Sequence, residues 1–307
     1  VNDDLTIHHD AVLFFGDRDD GVIGLPGLTH DGHVIEISYF FGLTRPKNII
    51  VISSQVGCPL GCSFCELDGF VRNLTARELH DQARLMIGEA FRYGFDPTGT
   101  PHKVTVADSG EPLLNPFLVS GLESLRDLPV SFKVSTVLPA ARAAWRNLER
   151  LADFAAGYER PVQLQISLIS TSEERRLRSC RGRIAGFDRV REAGELWRSR
   201  NPRGRQVNLS LIVTDDMPCE AARVVRIFPP ELFRFRFREY VPTRHGAAAG
   251  HVAVSPERLR RIKRDFASRG YQVGDWASPS PVERRFGLAA NTIRRMYLEA
   301  IGFSRKD

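Results

Sequence analysis

The chain has 307 residues, 42% of them hydrophobic and 26% charged, with a net charge of +6. That balance excludes wholesale disorder, and no apolar run approaches the ~20 residues that span a bilayer, so a soluble cytoplasmic enzyme without membrane attachment is expected. Five cysteines are too few for a disulfide framework and fit a reducing compartment, while the spread positive charge permits an anionic partner without demanding nucleic acid.

In chain order, residues 1–45 read as a small β-rich layer, VLFF and HVIEISYFF separated by the glycine-rich DDGVIGLPGLTHDG. Strand-like apolar runs follow at 48–53, 102–107, 130–136, 162–168, 207–213 and 233–240. Between them lie amphipathic stretches near 75–93, 115–127, 139–156, 183–200 and 218–227, the alternation of an α/β fold with a largely parallel sheet. Asn73-Leu74-Thr75, with Glu78 three residues after Thr75, reads as a helix capping box. Six βα units predict a partial (β/α)6 TIM-like barrel over 46–245. A helix at 255–269 and a basic segment at 281–300 form a C-terminal helical extension, 246–307, that closes it.

The strand faces carry more information than the boundaries. Phe233, Phe235 and Phe237 alternate with Arg234, Arg236 and Arg238, and a barrel strand packs one face under helices while the other faces the lumen. The arginines are therefore expected inside. The same test sends Gln163, Gln165 and Ser167, Asn208 and Ser210, and Lys133 and Ser135 inward. A filled barrel carries branched apolar side chains there, so this polar lumen is expected to be a site. Gln163, Gln165, Asn208, Arg234, Arg236 and Arg238 are its substrate-binding candidates, and Arg236 is also a catalytic candidate. An internal ion-pair network is the competing reading.

Cys58, Cys62 and Cys65 stand in GCPLGCSFC, directly after the first barrel strand. Iron–sulfur clusters are held by thiolates, normally four, so three in one loop leave an iron open. Structural zinc needs a fourth ligand, and no Cys or His stands at a sensible distance to supply it. The spacing C-x3-C-x2-C, with Phe64 just before the last cysteine, resembles the radical S-adenosylmethionine (SAM) enzymes. The resemblance implies a [4Fe–4S] cluster, SAM cleaved to a 5′-deoxyadenosyl radical with Phe64 beside the cofactor, and an electron donor such as flavodoxin or ferredoxin.

SSQVGCPLGCSFC, GFVRNLTARELHDQ and DSGEPLLN are further similar to the RlmN/Cfr family of radical SAM methyl synthases, which modify an adenine carbon in ribosomal or transfer RNA. The resemblance runs from about Val34 to about Pro242. It implies that Gly110 and Glu111 hold the amino group of SAM, that Ser135, Ser167, Leu168 and Ile169 make further SAM contacts, and that Glu36 falls near the family's proton-accepting glutamate. Three departures stand out. Val51 occupies the place of one methyl-transfer cysteine, Asn291 that of the other, and Val241 that of a SAM-contacting asparagine. Family methylation runs through a methylated cysteine and a resolving thiol, and neither step can occur on valine or asparagine.

Of the two spare thiols, Cys219 and Cys180, the second is flanked by arginines in RLRSCRGR and is a catalytic candidate as hydrogen-atom donor, against the reading of a small buried structural residue. Asp215-Asp216 either sits at the end of a barrel strand for catalysis or caps the helix at 218–227, and His245, after the last barrel strand in PTRHG, either reaches the site mouth or is a surface loop residue. Fewer residues precede Cys58 than the family's N-terminal RNA-binding domain needs. The expectation is therefore hydrogen abstraction from a small polar anionic substrate (a nucleoside, sugar or sugar nucleotide) in natural-product biosynthesis, with nucleic acid not expected as a partner. The alternative is an RNA adenine-modifying enzyme working by a non-standard route.

Overall fold

The computed structural model describes residues 4–10, 15–17, 19–41, 48–67, 69–94, 102–275, 281–286 and 291–302. Of the expected VLFF strand, only Phe15 lies within them. Two compact units make up the chain: Val1–Pro59, Glu66–Phe132 and Pro279–Asp307 in the first, Leu60–Cys65 and Lys133–Ser278 in the second.

The first unit contains strands β1 (Ile7–His9), β2 (Val22–Thr29), β3 (Val34–Phe40) and β4 (Asn48–Ile52), a short antiparallel pair β5 (Gln55–Gly57) and β6 (Phe70–Asn73), helix α1 (Ala76–Arg92), strand β7 (His102–Val106) and helix α2 (Leu118–Glu123). Strands β1 to β4 pair antiparallel in sequence, and β4 then pairs parallel with β7. The glycine-rich segment expected to separate two strands is itself strand β2. A Cβ on Gly27 would press to 2.9 Å from the side chains of Ile35 and Ile37, so glycine there lets the branched residues of β3 cross the strand.

The expected capping box is present. The Thr75 hydroxyl accepts the Glu78 N–H, and the Glu78 carboxylate accepts the Thr75 N–H at 2.8 Å. Arg72 on β6 adds a second constraint. Its guanidinium bonds Glu78 at 2.8 and 3.0 Å and Asp31, in the β2–β3 turn, at 2.7 and 2.8 Å. These bonds hold the Asp31 carboxyl far below the usual carboxylate range. On the next turn of α1, Gln82 accepts the Ser53 N–H at 2.8 Å and donates to the Ser53 carbonyl at 3.1 Å. The chain is thereby fixed on both sides of the cysteine run, at Ser53 before it and at Arg72 after it.

The second unit holds most of strand β8 (Val130–Thr136), then α3 (Arg142–Gly157), β9 (Val162–Ser167), α4 (Glu173–Arg178), α5 (Phe187–Arg200), β10 (Val207–Val213), β11 (Phe233–Glu239), α6 (Arg244–Ala248), α7 (Pro256–Ser268) and β12 (Val273–Asp275). Strands β9 to β12 pair parallel in sequence. Helix α4 was not expected, and the helix expected at 218–227 is only a 3-10 turn at Ala221–Arg223. Prolines at 218 and 229–230 bound the segment, and the consecutive valines 224–225 lower its helix propensity. Strand β11 alternates as expected. Phe233, Phe235 and Phe237 are buried, with Phe235 and Phe237 packed on Phe266 of α7 at ring distances of 4.5 and 5.0 Å.

Helices α8 (Pro281–Phe286) and α9 (Ile293–Ala300) return to the first unit, where Ile293 packs with Phe15. The fold is thus mixed α/β with parallel strands, and in both units the strands run as an open sheet rather than a closed barrel.

Replacing Glu78 by Ala removes the cap and leaves Arg72 with half its partners. We expect a loss of about 2–4 kcal/mol in urea unfolding, the sum of a cap and a partly buried ion pair. A change below about 0.5 kcal/mol would show that the clamp is ornamental.

Candidate active site

In the first unit the backbone around Cys58 is tightly specified. Its N–H donates to the Gly69 carbonyl at 2.9 Å. The N–H groups of Ser54 and Gln55 both donate to the Ser109 carbonyl, at 2.7 and 3.1 Å, and the Gln55 side chain accepts the Glu111 N–H at 2.8 Å. Gly110 has φ +102°, and a Cβ there would fall 2.6 Å from Gln55 Cβ and 2.7 Å from Ser54 Oγ. Only glycine permits this approach. Glu111 is buried and uses one carboxylate oxygen to accept the Leu113 N–H at 3.1 Å. Asn115 completes the frame, donating to the carbonyls of Ser54 and Leu74 at 2.7 and 2.8 Å.

Glu36 is fully buried on β3. One oxygen accepts the Arg294 N–H at the start of α9 at 3.0 Å, and the other has no hydrogen-bond partner among the described residues. Burial pushes its carboxyl well above the usual range, the neighbouring Asp108 charge adds to this, and the α9 amides oppose it. Asn291, just before α9, holds a left-handed backbone at φ +64°. Val51 is buried on β4, opposite Ser38 of β3.

In the second unit Cys62 and Cys65 lie in a segment fixed at several points. The Ser63 N–H donates to the Ser179 carbonyl at 2.8 Å, and the Ser63 hydroxyl bonds His251 Nε2 at 2.8 Å. His251 Nδ1 bonds Asp216 at 2.9 Å, and His245 Nδ1–H donates to the Cys65 carbonyl at 2.7 Å. The carbonyl of Phe64 lies 3.5 Å from the Thr243 hydroxyl. His245 is therefore no idle loop residue. Asp215 pairs with Arg258 and Asp216 with His251, so neither caps a helix. The His251 role escaped the sequence, because its partners Ser63 and Asp216 lie 188 and 35 residues away along the chain. Cys180 is buried, with its sulfur 3.2 Å from that of Cys62.

Strands β8 to β11 bring most of the remaining candidates onto one face. Gln165, Asn208 and Arg234 occupy one row of the β9–β10–β11 register, and Ser167, Ser210 and Arg236 the next row but one. Ser135 accepts from Gln165 Nε2 at 3.2 Å. Gln165 Oε1, Asn208 Oδ1 and Arg234 Nε are buried atoms without a hydrogen-bond partner among the described residues. Arg238 lies further along β11, opposite Ile212. Gln163 differs. Its amide donates to the carbonyls of Leu164 and Gln206, both at 2.8 Å, and is spent on backbone.

The turn after β9 is held by Arg176, which is fully buried. Its guanidinium donates to the carbonyls of Ser167 and Val137 at 2.6 Å, Ala185 at 3.0 Å and Leu168 at 3.1 Å. Within that turn Ile169 has φ +71°, a strained conformation for a β-branched residue.

The three thiols suit an iron–sulfur cluster by their chemistry, and the Gly110 approach leaves backbone rather than a side chain beside Gln55 and Ser54. Comparison with known proteins agrees. The model of the radical SAM superfamily matches residues 52–221, so the chain belongs to that superfamily, whose enzymes use a [4Fe–4S] cluster and SAM. Among its relatives, the dual-specificity RNA methyltransferase RlmN of Desulfotalea psychrophila is 34% identical over 167 residues, covering 51% of this chain and 43% of that protein. The RlmN of an Anaeromyxobacter species is 27% identical over 81% of this chain and 66% of its own length. The crystal structure of a radical SAM methyltransferase from Sphaerobacter thermophilus shares the fold with a TM-score of 0.70, at 22% identity over 89% of this chain and 77% of that one. The chain spans about half the length of several curated relatives it matches. These relatives overturn one expectation. A small-molecule substrate with nucleic acid set aside conflicts with relatives named for acting on RNA. That expectation rested on the short stretch before Cys58 and on the polar strand faces, and arginine- and amide-lined faces suit a nucleic-acid base and phosphate as well as a small anion.

Three variants test this geometry. Arg176→Met should cost about 3–5 kcal/mol in urea unfolding by leaving buried carbonyls unpaired, and Arg176→Lys should not restore it, because an ammonium cannot span the guanidinium fork. The raised carboxyl of Glu36 gives a signed prediction: folding favours its protonated form, so that contribution is whole at low pH and lost as pH rises through the elevated value. The stability gain of Glu36→Gln over the parent should grow as pH rises above the ordinary glutamate range, and a difference that stays flat with pH would show that Glu36 is not shifted upward by folding.

Proposed function

We propose that this radical SAM enzyme acts on RNA, at an adenine base, by a route that dispenses with the two methyl-transfer cysteines of its relatives. The observation that carries the reading is the row Gln165, Asn208 and Arg234, whose buried polar atoms lack partners among the described residues. Carboxamide oxygens accept from an exocyclic amine and a guanidinium N–H donates to a ring nitrogen, the pattern that reads an adenine edge. A base reaches such a recess only when it is taken out of its stack. The names of the relatives support the same substrate class.

In this reading Cys58, Cys62 and Cys65 hold the cluster, and Gly110, Glu111, Ser135, Ser167, Leu168 and Ile169 hold SAM, with Phe64 beside it. When bound, the cluster and SAM supply a 5′-deoxyadenosyl radical that abstracts hydrogen. The chain's own groups position the substrate. Arg236 and Arg238 extend the cationic face beside the base-reading row, and burial raises the Glu36 carboxyl above its usual range, which suits a proton donor.

A groove of about 460 Å³ in the second unit offers a place for the RNA backbone. Arg142, Trp145, Arg146 and Arg189 line it, with the Arg189 guanidinium 3.8 Å from the Trp145 ring centre. Arg142 and Arg146 are exposed and make no ion pair among the described residues, unlike the many surface arginines paired to a carboxylate one helical turn away. Unpaired arginines beside an aromatic ring suit phosphate and a stacked base.

Two measurements test the reading. Binding to a single-stranded adenine-containing RNA should weaken steeply between about 50 and about 200 mM salt, and Arg142→Glu with Arg146→Glu should flatten the log–log slope by roughly 1.4. The double variant should leave formation of 5′-deoxyadenosine from SAM intact. No RNA binding at the lower salt would end the proposal. Separately, Glu111→Ala should weaken SAM binding in the loaded enzyme, and unchanged affinity would remove Glu111 from the SAM site.

A further inference from the structure

Cys180 and Cys62 are 118 residues apart in sequence, yet their sulfurs are 3.2 Å apart. The backbone explains how. The Ser63 N–H donates to the Ser179 carbonyl at 2.8 Å, the Arg181 N–H to the Gly61 carbonyl at 3.3 Å, and the Gly182 N–H to the Leu60 carbonyl at 2.9 Å. Cys62 and Cys180 thus face one another as an antiparallel pair. The two flanking bonds join their neighbours, and the cysteines exchange none themselves. Such non-hydrogen-bonded pairs bring Cα atoms to about 4.5 Å, inside the roughly 4.4–6.8 Å span of a disulfide. Gly61 adds to the close fit, since a Cβ there would meet the Arg181 guanidinium at 2.4 Å. The cysteine loop and the turn after α4 are therefore zipped in a register that presents one thiol to the other.

We propose that Cys62 and Cys180 form a reversible disulfide when the chain carries no cluster, which withdraws one cluster ligand until a thiol reductant restores it. The oxidant is a low-molecular-weight disulfide such as oxidised glutathione. Each protein S–H bond and the S–S bond of the oxidant break, one protein S–S bond forms, and the two electrons and two protons leave on two molecules of reduced thiol. Reduction by a dithiol reverses the step. The pair acts as a latch on cluster loading: it shields Cys62 from the irreversible oxidation open to an unoccupied ligand thiol, and it ties iron uptake to the cell's thiol poise. This gives Cys180 a task that does not require it to face the substrate, and it stands independently of the RNA reading.

The test uses the full chain, anaerobically loaded with iron and sulfide, and the same chain stripped by a chelator. Both are exposed to oxidised glutathione, alkylated and mapped by mass spectrometry. In the stripped chain the free thiols should fall from five to three, with Cys62 joined to Cys180, while the loaded chain shows no such link. Iron uptake by the oxidised stripped chain should then require dithiothreitol, and Cys180→Ser should take up iron with or without it. Pairing of Cys62 with any other cysteine, five persisting thiols, or equal iron uptake by parent and variant without reductant would overturn the proposal. The peptide map of the parent decides the question even if Cys180→Ser fails to fold.

Discussion

Arg176 is a full positive charge, wholly buried, with four backbone carbonyls as its recorded hydrogen-bond acceptors. A charge so placed is tolerated only when each N–H meets an acceptor, and only one arrangement of the surrounding loops supplies all four. Those carbonyls belong to the segment after β8, the end of β9 and the entry to α5. The guanidinium thus fixes where the chain turns away from the strands, at the point where ligand groups collect in α/β folds. The left-handed Ile169 is the counterpart of that constraint. Its backbone lies beside two residues whose carbonyls Arg176 holds, and the Leu168 N–H is spent on Ser210 at 2.8 Å. Strain at one residue survives because its neighbours are over-determined.

The same economy of polar groups explains which parts of the fold were legible in the sequence. Strands with one apolar buried face declare themselves by period-two alternation, and the expected strands at 130–136 and 207–213 match Val130–Thr136 and Val207–Val213. The arginine face of β11 was readable because period-two alternation leaves no other way to bury three phenylalanines. The capping box was readable because it is local. What stayed hidden depends on contacts distant in sequence. Strand β2 looks like a loop until the isoleucines of β3 are laid across its glycines, and β5 and β6 form a strand pair only through each other.

The candidate site divides in the same manner. Three cysteines in one loop and the glycine–glutamate step at 110–111 announce themselves by spacing and resemblance. By contrast, nothing in the sequence connects His251 with Ser63, His245 with Cys65, or Cys180 with Cys62, although all three contacts grip the cysteine segment. A sequence shows which residue types could do chemistry; it does not show which of them the fold spends on its own backbone. Gln163 and Gln165 make the contrast plain. They are two residues apart on one strand face, yet the first amide is consumed by neighbouring carbonyls and the second keeps a buried oxygen with no recorded partner.

The departures at Val51 and Asn291 bear on the chemistry through Glu36. The α9 start is anchored by a buried carboxylate oxygen of Glu36 on the Arg294 amide. Just before it, Asn291 stands in a left-handed turn. A thiol at such a place can carry a carbon and be released; an amide cannot. What remains nearby is a carboxyl whose hold on a proton is strengthened by burial first and by the Asp108 charge second, which suits it to giving a proton rather than only taking one.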